Sequence, residues 1–214
     1  MDGIPPFRDR TDAGERLAAA LRDRGVEADL VLAIPRGGLP LGRAVADALD
    51  APLDVVVAKK LGAPGNPEYA IGAVASDGSV WRNEAAFRDG RVDEAYFERE
   101  RDRQVDAARE KARRYRAGDL EPDVAGKRVV LVDDGVATGS TVRACLQQLR
   151  NGDAAHVVLA VPVAPPDTAS ALREHADDVV CLAEPRHFQG VGQFYERFTQ
   201  VSDEEALAYL DDHD

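Results

Sequence analysis

The stretch RVVLVDDGVATGST, residues 128–141, decides the fold of this chain. It opens on an uninterrupted apolar run, which is typical of a strand buried on both faces of a parallel sheet. Glycines and hydroxyl residues then lead into a predicted helix. Ligands of parallel sheets bind just beyond the carboxyl ends of the strands. The stretch therefore predicts an α/β fold with a ligand site at residues 133–141.

The end of this stretch has the composition of a monophosphate cradle. Gly135 and Gly139 permit a close approach of the backbone to a ligand. The N-terminus of the predicted helix offers unpaired N–H groups at its positive end. Hydroxyl side chains add further donors there, at Thr138, Ser140 and Thr141.

Two adjacent carboxylates, Asp133 and Asp134, precede the cradle and cannot face the phosphate itself. Successive side chains of an extended segment point to opposite faces, so at least one of them lies where the strand turns into the loop. A carboxylate accepts hydrogen bonds from a ribose diol and can hold Mg²⁺ directly or through water. The pair indicates a sugar phosphate as ligand, and a purely structural role is the alternative.

Strands and helices alternate on both sides of a central insertion. The first helix is predicted from an N-cap at Thr11 or Asp12 to Arg24. A strand at 30–34, a helix at 40–49 and a strand LDVVVAKK at 53–60 follow it. After the insertion come strands at 128–133, 155–163 and 179–183 and helices at 140–150 and 167–175. This order predicts one doubly wound α/β domain, residues 1–214, with a mostly parallel sheet.

The insertion, residues 61–117, is predicted to contain a flexible loop, a hairpin and a long helix. Residues 61–70 are rich in Gly and Pro and are expected to be mobile. Residues 70–83 predict a hairpin around Asp77 and Gly78. A charged helix at 92–117 follows, and the tail at 186–214 ends in a short helix capped by Ser202 with Glu205.

The composition predicts a cytoplasmic protein. No apolar run approaches the roughly 20 residues of a membrane span, and no signal peptide is visible. Cys145 and Cys181 are expected to be free thiols. The net charge of −12 argues against a nucleic-acid partner, because phosphate contacts need a basic face. Few lysines, many arginines and an excess of aspartate resemble proteins adapted to high salt.

The motif VVLVDDGVATGST resembles the signature of the type I phosphoribosyltransferases. The resemblance implies that Asp133 and Asp134 hold the ribose hydroxyls of phosphoribosyl pyrophosphate (PRPP), with Mg²⁺ beside them. It also implies that the 5-phosphate is bound by Ala137, Thr138, Gly139, Ser140 and Thr141.

The stretch AIPRGGLPLG, residues 33–42, is similar to the diphosphate loop of the same family. The diphosphate would face Pro35, Arg36, Gly37 and Gly38, and each of these except proline would offer its backbone N–H group. The guanidinium of Arg36 would add a positive charge with two parallel N–H donors. A plain strand-to-helix turn is the alternative. Lys59 and Lys60 precede the Gly/Pro-rich segment and fit the family's catalytic loop, although lysines there can also be simply solvated.

Two positions depart from the family pattern. Hypoxanthine–guanine members carry an aspartate before Thr-Gly that assists proton transfer, and this chain has Ala137. A 6-oxopurine acceptor is therefore less favoured. Gly135 is smaller than the usual aliphatic residue.

The C-terminal segment 186–214 is called the hood. It offers Phe188, Phe194 and Tyr195 for stacking on a planar base. The alternative is that these aromatic residues form a packing cluster that anchors the tail.

The predicted function is a Mg²⁺-dependent transfer of the phosphoribosyl group of PRPP to a nitrogenous base, with Arg36, Lys59 and Lys60 as catalytic cations. The resemblance also suggests a homodimer. A non-catalytic PRPP- or nucleotide-binding regulator of the same fold is the alternative, and a hydrolase of another sugar phosphate is a more distant one.

Overall fold

The computed structural model describes residues 6–88, 92–116 and 121–211, which divide into two compact units. The first unit holds the described residues of 1–55, 124–137 and 153–214. The second holds those of 56–123 and 138–152.

The helices and strands alternate along most of the chain. In chain order they are α1 Arg10–Asp23, β1 Leu30–Ala33, α2 Gly38–Leu49, β2 Leu53–Val55, β3 Ala58–Ala63, β4 Asn66–Ala75, β5 Val80–Arg82, α3 Glu84–Arg88, α4 Glu94–Tyr115, β6 Arg128–Val132, α5 Ser140–Asn151, β7 His156–Val163, α6 Pro166–Leu172, β8 Asp178–Ala183, a 3-10 helix Val191–Phe194 and α7 Asp203–Ala208.

The first unit is built on a five-stranded sheet in the order β2-β1-β6-β7-β8. All neighbouring strands of this sheet are parallel. Its side chains alternate between the two faces, and Val31, Val130 and Val158 lie in one core with residues of α1 and α2. The predicted α/β class with a parallel sheet is confirmed.

The second unit holds an antiparallel sheet in the order β3-β4-β5. Helices α4 and α5 both contact β3 and β4. The sequence predicts an apolar stripe along α4 at Phe97, Val105, Ala108, Ala112 and Tyr115. All of these are buried except Val105, which is half-buried. The helix begins after the N-cap Asp93 and ends at Tyr115, and the predicted end at Ala117 lies outside the described residues.

The predicted start of the first helix is wrong. Asp9 is the N-cap, because its Oδ1 accepts the backbone N–H of Asp12 at 3.0 Å. Asp12 lies within the first turn and forms an ion pair with Arg16, with a separation of 2.8 Å. By contrast, the predicted capping box of Ser202 and Glu205 is present at the start of α7.

The prediction of one strand over LDVVVAKK is also wrong. Its first part is β2 in the parallel sheet and its second part is β3 in the antiparallel sheet. The valines between and beside them are all buried, so hydrophobicity does not mark the division.

Residues 61–70 form most of a β-hairpin and not the expected loop. Strands β3 and β4 pair up to Ala63 and Asn66, which leaves Pro64 and Gly65 as a two-residue turn. Gly65 has a φ of 71°, and proline followed by such a glycine suits a tight turn. The predicted hairpin turn at Asp77 and Gly78, between β4 and β5, is confirmed.

No helix among the described residues is long and apolar enough to span a membrane. Cys145 and Cys181 are both free thiols, as predicted.

Candidate functional site

The loops after β1 and β6 meet at one edge of the parallel sheet. The two strands are neighbours, and the backbone N–H of Ile34 donates to the carbonyl oxygen of Val132 at 2.9 Å. From β1 the chain continues to β2 on one side, whereas β6, β7 and β8 follow on the other. Such a reversal of strand order is where ligands of open α/β sheets bind. The predicted loop at 35–38 and the predicted acidic pair both follow these strand ends.

Gly37 and Gly38 allow the first loop to pack directly on the second. A Cβ atom on Gly38 would lie 2.8 Å from the carbonyl oxygen of Val132. On Gly37 it would lie 2.0 Å from Oδ2 of Asp134. The contact at Gly38 is with backbone, so the close approach of the two loops requires glycine there, whereas a side chain at position 37 would need the carboxylate of Asp134 to move.

Arg36 is half-buried and lies near the start of α7. Its Nη1 is 3.4 Å from Oδ1 of Asp203, a weak contact between partly exposed groups. A diphosphate bound by Arg36 would compete with this carboxylate.

The two aspartates of the acidic pair have different surroundings. Oδ1 of Asp133 accepts the backbone N–H of Asp134 at 2.9 Å, which holds the turn after β6. Oδ2 of Asp134 accepts a hydrogen bond from Nε of Arg10 at 2.8 Å, and Nη2 of Arg10 forms an ion pair with the same oxygen at 2.7 Å. Burial raises the pKa of Asp134, whereas the charge and hydrogen bonds of Arg10 oppose that rise.

The donor set does not form a metal site made by the protein alone. No three His, Cys, Asp or Glu residues converge within the ranges that the structure describes. Mg²⁺ commonly binds through one or two carboxylates together with substrate phosphates. Asp133 and Asp134 are the carboxylates of this segment, and each already accepts a hydrogen bond within the protein.

The loop after β6 contacts the hood at Gly135. A Cβ atom on Gly135, whose φ is 149°, would lie 2.5 Å from Cγ1 of Val191. The small residue at this position is therefore explained by Val191, which occupies the space above it. Farther along the loop, the carbonyl oxygen of Ala137 accepts a hydrogen bond at 2.9 Å from the hydroxyl of Thr168, which lies in α6.

The aromatic residues of the hood fall into two groups. Tyr195 is buried, with ring centroids of Phe7 and Phe198 at 5.3 Å and 4.9 Å, and its hydroxyl donates to the carbonyl oxygen of Asp134. Tyr195 therefore anchors the tail by packing, which is the alternative to stacking on a base. Phe188 and Phe194 are partly exposed, with centroids 5.3 Å apart. These two rings are the better candidates for contact with a base.

The remaining cradle residues belong to the second unit. Gly139 has a φ of 74° and precedes α5 as its N-cap, so the left-handed conformation explains the glycine. The hydroxyl oxygens of Thr138 and Ser140 are 3.1 Å apart. Arg143 donates to the carbonyl oxygen of Thr138 at 2.7 Å. Thr141 lies in the first turn, and no side chain caps the N-terminus of α5.

Lys59 and Lys60 lie side by side on β3, where adjacent side chains point to opposite faces. Nζ of Lys60 lies 3.1 Å from a carboxylate oxygen of Glu68 across the hairpin. Within the described ranges, Lys59 forms no ion pair. Lys59 is therefore the better candidate for a phosphate contact.

Sequence reasoning missed Arg10, Thr168 and Val191, which all contact the loop after β6. Arg10 stands 124 positions from Asp134, and nothing in its local pattern distinguishes it from other helix arginines. The sequence carried a signal only for the contact with Val191. At position 135 a glycine replaces the usual aliphatic residue, which indicates a neighbouring side chain that fills the space.

The family model for the phosphoribosyl transferase domain matches residues 7–198, and the chain belongs to this family. The fold and the two loops described above agree with that membership, which confirms the resemblance.

Individual relatives extend this likeness. A Mycobacterium tuberculosis protein, provisionally named as a phosphoribosyl transferase, is 44% identical over 205 residues, 96% of this chain and 46% of that protein. The chain thus spans about half the length of the curated relatives it matches. The solved protein TT1426 of Thermus thermophilus is 45% identical with a TM-score of 0.81, over 96% of this chain and 97% of that chain.

Proposed function

We propose that this chain transfers the 5-phosphoribosyl group of PRPP to a nitrogenous base and releases diphosphate. The observation that carries the proposal is the direct packing of residues 35–38 on the acidic segment at the reversal point of the sheet. A ligand with a diphosphate next to a ribose diol needs hydrogen-bond donors for the diphosphate and carboxylates for the diol, and these must lie side by side. Family membership supports the same reaction class.

Each part of PRPP has a proposed partner. The diphosphate takes the backbone N–H groups of Arg36 and Gly37 and the guanidinium of Arg36. The N–H of Gly38, which the sequence also assigned to the diphosphate, donates to the carbonyl oxygen of Ile34 at 3.0 Å. The ribose diol meets the acidic pair, Asp133 and Asp134. The 5-phosphate takes residues 137–141, which offer hydroxyls and the N-terminal N–H groups of α5.

The reaction needs alignment and charge stabilisation more than a nucleophile on the protein. The lone pair of the base nitrogen forms a bond to ribose C1, and the C1–O bond breaks with its electron pair on the departing diphosphate. The N–H proton of the base passes to solvent, since Ala137 has no carboxylate to accept it. The guanidinium of Arg36 stabilises the charge that accumulates on the diphosphate.

Asp133 and Asp134 are the residues proposed to hold Mg²⁺ together with the phosphates of PRPP. When bound, the ion would neutralise part of the diphosphate charge. The base is proposed to lie near Phe188 and Phe194, whose rings offer flat apolar surfaces.

PRPP binding in the presence of Mg²⁺, followed by calorimetry, tests the site. We expect Asp133→Asn and Arg36→Gln each to weaken PRPP binding by about tenfold or more, because each removes a charged contact. The matched control is Arg22→Gln, an exposed arginine at the end of α1. Wild-type protein that does not bind PRPP would overturn the proposal. Binding without turnover of any base would favour the regulator.

A further inference from the structure

Two successive carbonyl groups before α5 are bonded to the same arginine of that helix. The backbone N–H of Arg143 donates to the carbonyl oxygen of Gly139 at 2.9 Å, as expected for the N-cap residue of a helix. The guanidinium of Arg143 reaches one residue farther back, where Nη1 donates to the carbonyl oxygen of Thr138 at 2.7 Å. The side chain of Arg143 thus adds a bond to the loop that the helix backbone does not supply.

Trp81 supports this guanidinium from the antiparallel sheet. The residue lies in β5, and the centroid of its ring is 4.9 Å from Cζ of Arg143. A guanidinium over the face of an indole ring is attracted by the π electrons of the ring. Trp81, Thr138 and Arg143 all belong to the second unit. The side chain of Arg143 is therefore held by the ring and by the carbonyl group of Thr138 together.

The bond to Thr138 determines the direction of the N–H group of Gly139. In a planar trans peptide the carbonyl group and the following N–H group point in opposite directions, so this N–H group points away from Arg143. A peptide that precedes glycine can rotate easily, because glycine accepts φ angles of either sign. The φ of Gly139 is 74°, and among the described residues no side chain caps the N-terminus of α5. The guanidinium therefore opposes a rotation that the backbone would otherwise permit.

We propose that Arg143, supported by Trp81, is a positioning residue for the 5-phosphate of PRPP. It holds the carbonyl group of Thr138 so that the N–H group of Gly139 faces the phosphate, next to the other N–H groups at the start of α5. The proposal rests on the proposed function, and it extends the phosphate site from residues 137–141 to Arg143 and β5. Arg143 acts through the peptide between Thr138 and Gly139 and not through its own charge.

Three variants separate positioning from charge and from general stability. Arg143→Gln removes the guanidinium, Arg143→Lys keeps the charge without the planar fork, and Trp81→Leu removes the stacking surface. The control is Arg150→Gln, which removes an exposed arginine from the last turn of the same helix. The readouts are calorimetric binding of ribose 5-phosphate and of inorganic diphosphate with Mg²⁺. The NMR resonance of the Gly139 amide, recorded without ligand, reports the orientation of the peptide.

The proposal predicts a difference between the two ligands. Arg143→Gln should weaken binding of ribose 5-phosphate by about tenfold and leave diphosphate within about twofold of wild type, because the diphosphate uses the other loop. Arg143→Lys should still bind ribose 5-phosphate about fivefold more weakly than wild type, and Trp81→Leu about threefold. The Gly139 resonance should move in Arg143→Gln and stay in place in Arg150→Gln. If Arg143→Gln does not fold, Arg143→Lys and Trp81→Leu give the same comparison.

Three results would overturn the role of Arg143. One is an Arg143→Gln protein that binds ribose 5-phosphate as tightly as Arg150→Gln does. Another is an equal loss of both ligands, which would indicate damage to the fold. The third is wild-type affinity in Arg143→Lys, which would show that the positive charge alone is sufficient. Failure of the proposed function looks different, because wild-type protein would then bind neither PRPP nor ribose 5-phosphate while the Gly139 resonance still responds to Arg143→Gln.

Discussion

The hydroxyl of Tyr195 donates a 2.6 Å hydrogen bond to the backbone carbonyl oxygen of Asp134, which ties the hood to the loop after β6. Burial raises the pKa of this phenol, so the hydroxyl remains a donor throughout the physiological range.

Tyr195→Phe should lower the free energy of unfolding by about 1 kcal/mol, because the ring still packs while the carbonyl of Asp134 loses its donor. Urea unfolding followed by circular dichroism measures the change. Tyr69→Phe is the matched control, since Tyr69 is 47% exposed. Equal effects of the two substitutions would argue against a stabilising bond.

Gly135→Ala should destabilise the protein by about 2 kcal/mol or more, because the new methyl group would overlap Val191 and a φ of 149° is strained for alanine. Val191→Ala in the same chain should restore only part of the loss, because the backbone strain remains. Gly190→Ala is the control, since a Cβ there has nothing within 4 Å and its φ of 173° is ordinary extended backbone. Thermal unfolding measures these stabilities, and neutral effects of both glycine substitutions would contradict this account.

Glu121 predicts a pH dependence of stability in the second unit. Burial raises its pKa from 4.5 to about 7, and the charge of Asp77 adds to the rise. Gln148 donates from Nε2 to the carboxyl group, and the Ser76 hydroxyl lies 3.4 Å from it. Since the folded-state pKa is the higher one, the favourable contribution is complete below pH 4.5 and is lost as the pH rises through about 7.

Glu121→Gln should therefore raise the melting temperature at about pH 8 and flatten its dependence on pH between about 5 and 8. The neutral amide also offers a donor to Oε1 of Gln148, which is buried without a partner among the described residues. Glu110→Gln, on the exposed face of α4, is the control for loss of one negative charge. Parallel pH profiles for wild type and Glu121→Gln would show that Glu121 does not titrate in this range.

Asp203→Asn should tighten PRPP binding by about twofold at low salt, because Arg36 no longer has a competing carboxylate. The gain should shrink as ionic strength increases, since both groups are partly exposed. Glu204→Gln removes the neighbouring charge in the same first turn of α7 and serves as the control. Indistinguishable PRPP affinities for the two variants would mean that the Arg36–Asp203 contact has no effect on binding.

Much of the fold could be predicted because its signals are local. The strand and loop at 128–141 carry an apolar run, an acidic pair and glycines in contiguous order, and each feature has a physical meaning without knowledge of the rest of the chain. The Ser202 cap at the start of α7 is local in the same sense.

The errors arose where the decisive partner is elsewhere in the sequence or the local pattern is ambiguous. The division of LDVVVAKK depends on which sheet pairs with each half, and Val55 and Val56 are equally buried. The roles of Asp134 and Tyr195 depend on Arg10 and Phe7, which are brought close only by tertiary packing. Hydrophobic periodicity contains no information about such pairs.

Release of diphosphate from PRPP and Mg²⁺ over a panel of nitrogenous bases tests the central claim most directly. We expect wild-type protein to release diphosphate only when a suitable base is present, and we expect Arg36→Gln to reduce that rate by about a hundredfold through loss of charge stabilisation. A protein that binds PRPP but releases no diphosphate with any base would contradict the account of a transferase.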